Sequence, residues 1–164
     1  MRRPIFRKFL TALAIFLASP PSWAETDKIL ETKYATIHYA EDQDVGVFFW
    51  RLSGQRVDFL TGDTALIKNR LEELVERVER LLEMYPASLH FTIALKAKYE
   101  GGNIAEYSHR TRVVTVALDR VTDGILAHEM AHAVINAYFS VPPPEKAQEI
   151  LAQYVDKHLY EEPL

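Results

Sequence analysis

Two histidines and a glutamate stand at a spacing that suits metal chemistry, in the run His128-Glu129-Met130-Ala131-His132. On a helix, residues four apart lie on the same face, so the two imidazoles can bind one metal ion. Glu129 can then reach a water held by that metal. The surrounding segment is apolar, and two imidazoles and a carboxylate are costly to bury unless they are paired or bind metal. The motif therefore predicts a metal centre. The alternative is a metal-free structural domain in which the pattern arises by chance.

A third ligand has to come from outside the motif. Catalytic zinc typically takes three protein ligands and keeps a fourth position for water. Because the chain contains no cysteine, any such ligand must be a nitrogen or an oxygen. The downstream candidates are Glu145, Glu149, Asp156, His158, Glu161 and Glu162. Spacing alone does not choose among them.

The first 24 residues have the form of a secretory signal peptide. Arg2, Arg3, Arg7 and Lys8 precede a short apolar run over residues 9–18, and Ser22-Trp23-Ala24 follows Pro20-Pro21. The run is short for a membrane span, although an uncleaved anchor is the alternative. We expect an exported protein, periplasmic or secreted, with residues 25–164 forming a single domain and no stable membrane span once the signal is cleaved.

The charge of this expected mature chain is acidic. The signal segment holds four of the 19 basic residues and none of the 23 acidic ones, so the mature chain has 15 and 23, a net of −8. This balance argues against a nucleic-acid partner, which requires a basic face. Without disulfides, the 140 mature residues must rely on a hydrophobic core, and that length can supply one.

The pattern of apolar residues predicts an α+β domain with a mixed sheet backed by helices. Strands are expected at residues 34–39, 89–95 and 113–118, with hairpin-like strands before the motif. Helices are expected at 64–85, at about 123–138 and at 145 to about 160, and more weakly at 45–52. The last helix is predicted to bury one face made of Ala147, Ile150, Leu151, Tyr154, Val155 and Leu159.

The motif helix, the short proline linker and a second helix together resemble the gluzincin metallopeptidases. These include the thermolysin-like enzymes and small proteins with a peptidase MA-like, zincin-like domain, and the five-residue motif is itself typical of zinc peptidases. The run from Gln148 to Val155 is similar to the second ligand helix of that group. The resemblance makes Glu149 the third ligand, with Glu145 and His158 as reserves. Two positions depart from the pattern: Ile150 replaces a common glycine, and Gln153 replaces an aspartate that would orient His128.

This resemblance implies a zinc-dependent peptidase with one Zn²⁺ ion, Glu129 as general base and a peptide or protein as substrate. It also implies that the substrate pairs with an edge strand beside the motif helix, which by position is Arg112 to Leu118. A second oxyanion donor is expected among Tyr107, His109, Tyr138, Tyr154 and His158. The alternative function is an exported, non-proteolytic zinc-binding module that retains the same fold.

Overall fold

A computed structural model describes residues 28–54 and 64–161 of the 164-residue chain. The predicted signal peptide, residues 1–24, lies outside the described residues. None of the helices in the described ranges combines the length and the apolar composition needed to cross a membrane.

Five strands form one mixed sheet, and in chain order they are β1 Lys28–Glu31, β2 Ala35–Tyr39, β3 Phe91–Lys96, β4 Ala105–Ser108 and β5 Val113–Ala117. The strands β2 and β3 run parallel, as do β3 and β5, whereas β1 and β4 pair antiparallel with β2 and β5. Across the sheet the strand order is β1-β2-β3-β5-β4. The predicted α+β class with a mixed sheet is confirmed.

One face of the sheet is buried and the other is partly exposed. In β2, Ala35, Ile37 and Tyr39 are buried while Thr36 and His38 between them are half-buried. The register places Ile37 beside Ile93 and Ile93 beside Val114, so the buried side chains of three neighbouring strands meet on one face. This alternation is the period of two that a half-buried sheet requires.

Four helices complete the described fold: α1 Asp42–Ser53, α2 Thr64–Leu82, α3 Asp123–Tyr138 and α4 Glu145–His158. The weakly predicted first helix is confirmed. It ends at Gly54, whose positive φ of 68° lets its N–H donate to the Trp50 carbonyl. The helix α2 buries Ile67, Leu71, Leu74, Val75, Val78 and Leu82 at helical spacing.

The motif helix α3 lies at the centre of the domain. It contacts α1, α2, α4, β4 and β5. Its buried side chains lie on most of its circumference, including Leu126, Met130, Val134 and Ile135. A helix that is apolar almost all round belongs in the interior. The few polar side chains of α3 therefore extend from a helix that is packed by neighbouring elements on most of its sides.

Two expectations about the elements are wrong. The segment Arg112 to Leu118 is not the edge of the sheet, because β5 is bonded to β3 on one side and to β4 on the other. The edge strand beside the motif helix is β4. In α4, Ile150 and Tyr154 are 60% and 47% exposed, because the face toward the core is formed by Ala152 and Val155, with Leu159 just beyond the helix.

Candidate metal centre

The helix α3 presents His128 and His132 on one face, one turn apart. Thr122 caps its start, with its side-chain oxygen accepting from the Ile125 N–H. The two imidazole rings lie 5.2 Å apart between centroids and are inclined by 69°. Both side chains are largely buried, and both residues line the same cleft.

Glu149 of α4 reaches the same point. Its two carboxylate oxygens lie 3.5 Å from Nε2 of His128 and 3.2 Å from Nε2 of His132. Two ligand atoms on a tetrahedral zinc, each about 2.0–2.1 Å from the ion, lie roughly 3.3–3.4 Å apart. The two distances, each to a different oxygen of the carboxylate, are close to this spacing. One donor atom from each of the three residues lies within 4.8 Å of the others, and the group could hold a metal ion.

A chain of hydrogen bonds fixes the second helix against the first. The Asn136 side-chain amide donates to the His132 carbonyl at 2.7 Å and to the Gln148 side-chain oxygen at 3.1 Å. Gln148 in turn donates to the Pro143 carbonyl at 2.8 Å. Because Gln148 directly precedes Glu149, this chain connects the end of the motif helix to the residue that supplies the carboxylate.

Asp123 makes a second connection at the other end of the motif helix. One of its carboxylate oxygens lies 3.3 Å from an Arg70 guanidinium nitrogen, while the other accepts from the Tyr160 hydroxyl and from the Gly124 N–H. Burial, together with the hydrogen bond to Asp123, raises the pKa of Tyr160 to about 12. The helices α2 and α3 and the turn after α4 are therefore joined at one carboxylate.

Glu129 lies beside the three candidate ligands and contacts the edge strand. Its carboxylate accepts a 2.7 Å hydrogen bond from the Tyr107 backbone N–H. Burial raises the pKa of the Glu129 carboxyl, and this effect outweighs the opposing influence of the Tyr107 N–H and the two histidines. The bond also shows that the outer edge of β4 faces the metal centre.

The candidate ligands open onto a cleft of about 840 Å³. The edge strand β4 and the segment before it form one wall, while α3 and the start of α4 form the other. His128, Glu129, His132 and Glu149 all line this cleft, as do Tyr107 and His109. These last two are the only members of the predicted oxyanion-donor set that the cleft brings near the ligands among the described residues.

The remaining candidates lie elsewhere. His158 pairs with Glu161 at 2.6 Å and stacks against Tyr154, and Tyr138 packs edge-to-face on Phe139. Glu145 lines the cleft but does not belong to the close group of ligand atoms. Gln153 is exposed, and in the described part of the chain no hydrogen bond joins it to His128. Glu162 lies outside the described residues.

Sequence reasoning missed the residues that position the site. Asn136, Gln148 and Asp123 act through contacts between elements that are distant along the chain, and no local motif marks them. The Tyr107 contribution was missed for another reason, since it is made by a backbone N–H and not by the side chain. In the sequence, the only indication that β4 pairs with β5 is the short loop between them, residues 109–112.

Comparison of the chain with protein-family models, with curated proteins and with solved structures gives no match.

Proposed function

We propose that the protein is an exported zinc-dependent metallopeptidase with a zincin-like fold of the gluzincin type. The observation that carries this proposal is the meeting of His128, His132 and Glu149 in a cleft that also holds Glu129. Two imidazoles and one carboxylate with an open fourth position are the ligand set of a catalytic zinc. In a structural zinc site, all four positions would be closed by protein.

Zinc in this site would supply a Lewis acid that polarises a carbonyl and lowers the pKa of bound water towards about 7. Glu129 would accept the proton of the attacking water and return it to the leaving amine. The Tyr107 N–H holds one Glu129 oxygen and so fixes the direction in which the carboxylate faces. Tyr107 and His109, which line the cleft, would assist as oxyanion donors.

The edge strand β4 would bind an extended peptide by strand addition through main-chain groups other than the Tyr107 N–H, which already donates to Glu129. Main-chain hydrogen bonds to such an edge give affinity without regard to sequence, and the neighbouring pockets give specificity. The edge β4 runs along the cleft wall opposite the candidate ligands. A peptide added there would lie across the metal centre.

The test is to replace Glu129 by Gln in the mature chain, residues 25–164. We expect the variant to retain zinc, measured by inductively coupled plasma mass spectrometry, and to lose cleavage of a quenched unfolded-protein substrate by at least about a hundredfold. The control is Glu100→Gln, the same chemical change on an exposed loop residue outside the cleft. If Glu129→Gln cleaves as fast as the wild type, the proposed mechanism is wrong.

A second candidate function is a non-proteolytic zinc-binding module. It is favoured by the exposure of Gln153 and by the absence, among the described residues, of a carboxylate bonded to Nδ1 of either motif imidazole, since Glu149 approaches both rings at Nε2. Loss of such a partner typically weakens metal affinity or activity about 10- to 100-fold. Zinc-loaded wild-type protein that cleaves nothing in a broad peptide library would establish this second function over the first.

A further inference from the structure

A second cavity, of about 410 Å³, adjoins the metal cleft at its far end. The two share Tyr107, His109, Asn136 and Pro142 in their walls. The second cavity extends from there to the start of β3 and to the end of α3, where Phe91 and Phe139 line it. An extended ligand that occupies the metal centre can therefore place its next residues in this cavity.

The two cavities differ in charge. The metal cleft is lined by four carboxylates, which belong to Glu106, Glu129, Glu145 and Glu149. The second cavity has no acidic side chain in its described lining, and its ionisable members are Arg112, His109, His90 and Tyr107. The whole chain has a net charge of −4, so a cavity lined by a cation and by no described acidic side chain differs from the overall charge of the protein.

Arg112 is the permanent charge of this cavity. Ser108 pairs with Val113, so residues 109–112 form a tight hairpin loop with His109 and Arg112 at its two ends. Arg112 has a φ of 55°, a conformation that glycine adopts without strain and other residues rarely adopt. Its carbonyl accepts from the Thr92 N–H at 2.9 Å, which holds the backbone there.

The Arg112 side chain is exposed and makes no ion pair with any described residue. By contrast, His90 is already engaged, since its Nε2 lies 3.0 Å from the Thr36 hydroxyl, which donates to Glu31. The fixed backbone and the unpaired guanidinium leave Arg112 ready to bind an anionic group. Strained residues that a surrounding structure holds in place cluster at ligand-binding positions.

We propose that the second cavity is a subsite for a substrate carboxylate and that Arg112 determines this specificity. The inference rests on the proposed function, because it takes the metal cleft to bind a peptide. A guanidinium binds a carboxylate with two parallel hydrogen bonds, and His109 at the other end of the loop can add a third. The carboxylate can belong to an acidic side chain or to the C-terminus of a peptide.

The test measures binding and cleavage separately. Labelled peptides of one neutral, C-terminally amidated sequence carry a single Glu at each position in turn, and one further peptide has a free C-terminus. Binding to the zinc-loaded Glu129→Gln protein is followed by fluorescence anisotropy. We expect one Glu register, or the free C-terminus, to bind about tenfold more tightly than the neutral peptide. The peptide that binds more tightly than the neutral one identifies the source of the carboxylate.

Arg112→Gly removes the charge and suits the backbone conformation, so it is expected to fold and to reduce this preference to within about twofold. Arg112→Lys should keep part of the preference as a point charge. The matched control is Arg110→Gly, which removes a cation of the same loop that does not line the cavity. This control should keep the full preference.

Two results would overturn the subsite: no carboxylate tightens binding, or Arg110→Gly loses the preference as fully as Arg112→Gly does. Failure of the peptidase proposal has a different signature. In that case the wild-type protein cleaves none of the peptides, yet the Arg112-dependent preference persists in the binding measurement. The subsite would then stand as part of a peptide-binding module.

Discussion

Glu149 comes from a different helix than the two histidines, so its place at the candidate metal centre depends on packing between α3 and α4. The motif spacing brings His128 and His132 together on any helix, because that geometry is local. Nothing local places Glu149 within 3.2–3.5 Å of both imidazoles. The carboxylate is therefore the residue whose role most needs a direct test.

Replacing Glu149 by Gln is expected to weaken zinc binding by more than the roughly 10- to 100-fold that follows loss of an outer hydrogen-bond partner. The amide keeps the shape of the side chain but removes the negative charge that a zinc ligand supplies. Competition with a chelating dye measures the dissociation constant. Glu145→Gln, on the same helix and in the same cleft, should bind zinc as the wild type does. The reverse order of the two variants would show that Glu145 is the ligand.

At this scale, the residues that can do chemistry could be predicted from the sequence, and the residues that hold them could not. His128, Glu129 and His132 form a five-residue pattern, whereas only the resemblance to the gluzincin ligand helix selects Glu149 among the downstream candidates. Asn136 and Asp123 look like ordinary polar residues at either end of a helix. Their roles come from contacts with Gln148, Arg70 and Tyr160, which only the packing of the helices reveals.

At the scale of elements, the connection between α3 and α4 sets the geometry of the site. Asn136→Ala removes the hydrogen bonds to the His132 carbonyl and to Gln148. We expect zinc affinity to fall about tenfold, as for other groups that orient metal ligands. The control is Asn69→Ala, the same change on the exposed face of α2. Unchanged zinc affinity in Asn136→Ala would mean that the helices are held in place without this chain of bonds.

The helix α2 contains a buried carboxyl that makes stability depend on pH. Burial, reinforced by the nearby charge of Glu76, raises the pKa of Glu79 above its ordinary value of 4.5. Between that value and the higher folded one, the folded state holds more protons than the unfolded state. The free energy of unfolding therefore falls as the pH rises through this window, and it stays lower above it.

Glu79→Gln should consequently be more stable than the wild type at pH 7, and the gain should vanish below about pH 4. Urea unfolding followed by circular dichroism at several pH values measures this difference. Glu73→Gln, on the exposed side of the same helix, is expected to stay within about 0.5 kcal/mol of the wild type throughout. A gain of the same size at every pH would show that ionisation of Glu79 is not its cause.

The errors at the element scale have physical causes. Position before the motif helix alone predicts the longer, apolar β5 as the edge strand, and β4, Ala-Glu-Tyr-Ser, is too short to show a clear alternation that would correct this prediction. In α4, Ile150 and Tyr154 are apolar by type but face solvent, because the core contact of this short helix is narrow. Apolar residues on a surface are common, so residue type alone does not identify a buried face.

At the scale of the whole molecule, one hydrophobic core holds the helices and strands that bring the candidate ligands together. A mixed sheet covered on one face by helices buries a continuous set of apolar side chains, and no disulfide is available to assist it. The polar chemistry is concentrated where α3, α4 and the edge strand meet. Composition and periodicity predict the α+β class of this fold, because the apolar pattern of the helices and strands extends over many residues. Composition and periodicity do not predict the order of the strands, because that order depends on pairings between distant segments of the chain.

The central claim is that one zinc ion binds where His128, His132 and Glu149 meet. It is tested most directly by a crystal structure of zinc-loaded protein spanning residues 25–164, with anomalous data collected at the zinc edge. We predict a single strong peak, with Nε2 of both histidines and a Glu149 oxygen at about 2.0–2.2 Å from it. The absence of a peak at this point, or a peak at His158 and Glu161 instead, would contradict the account.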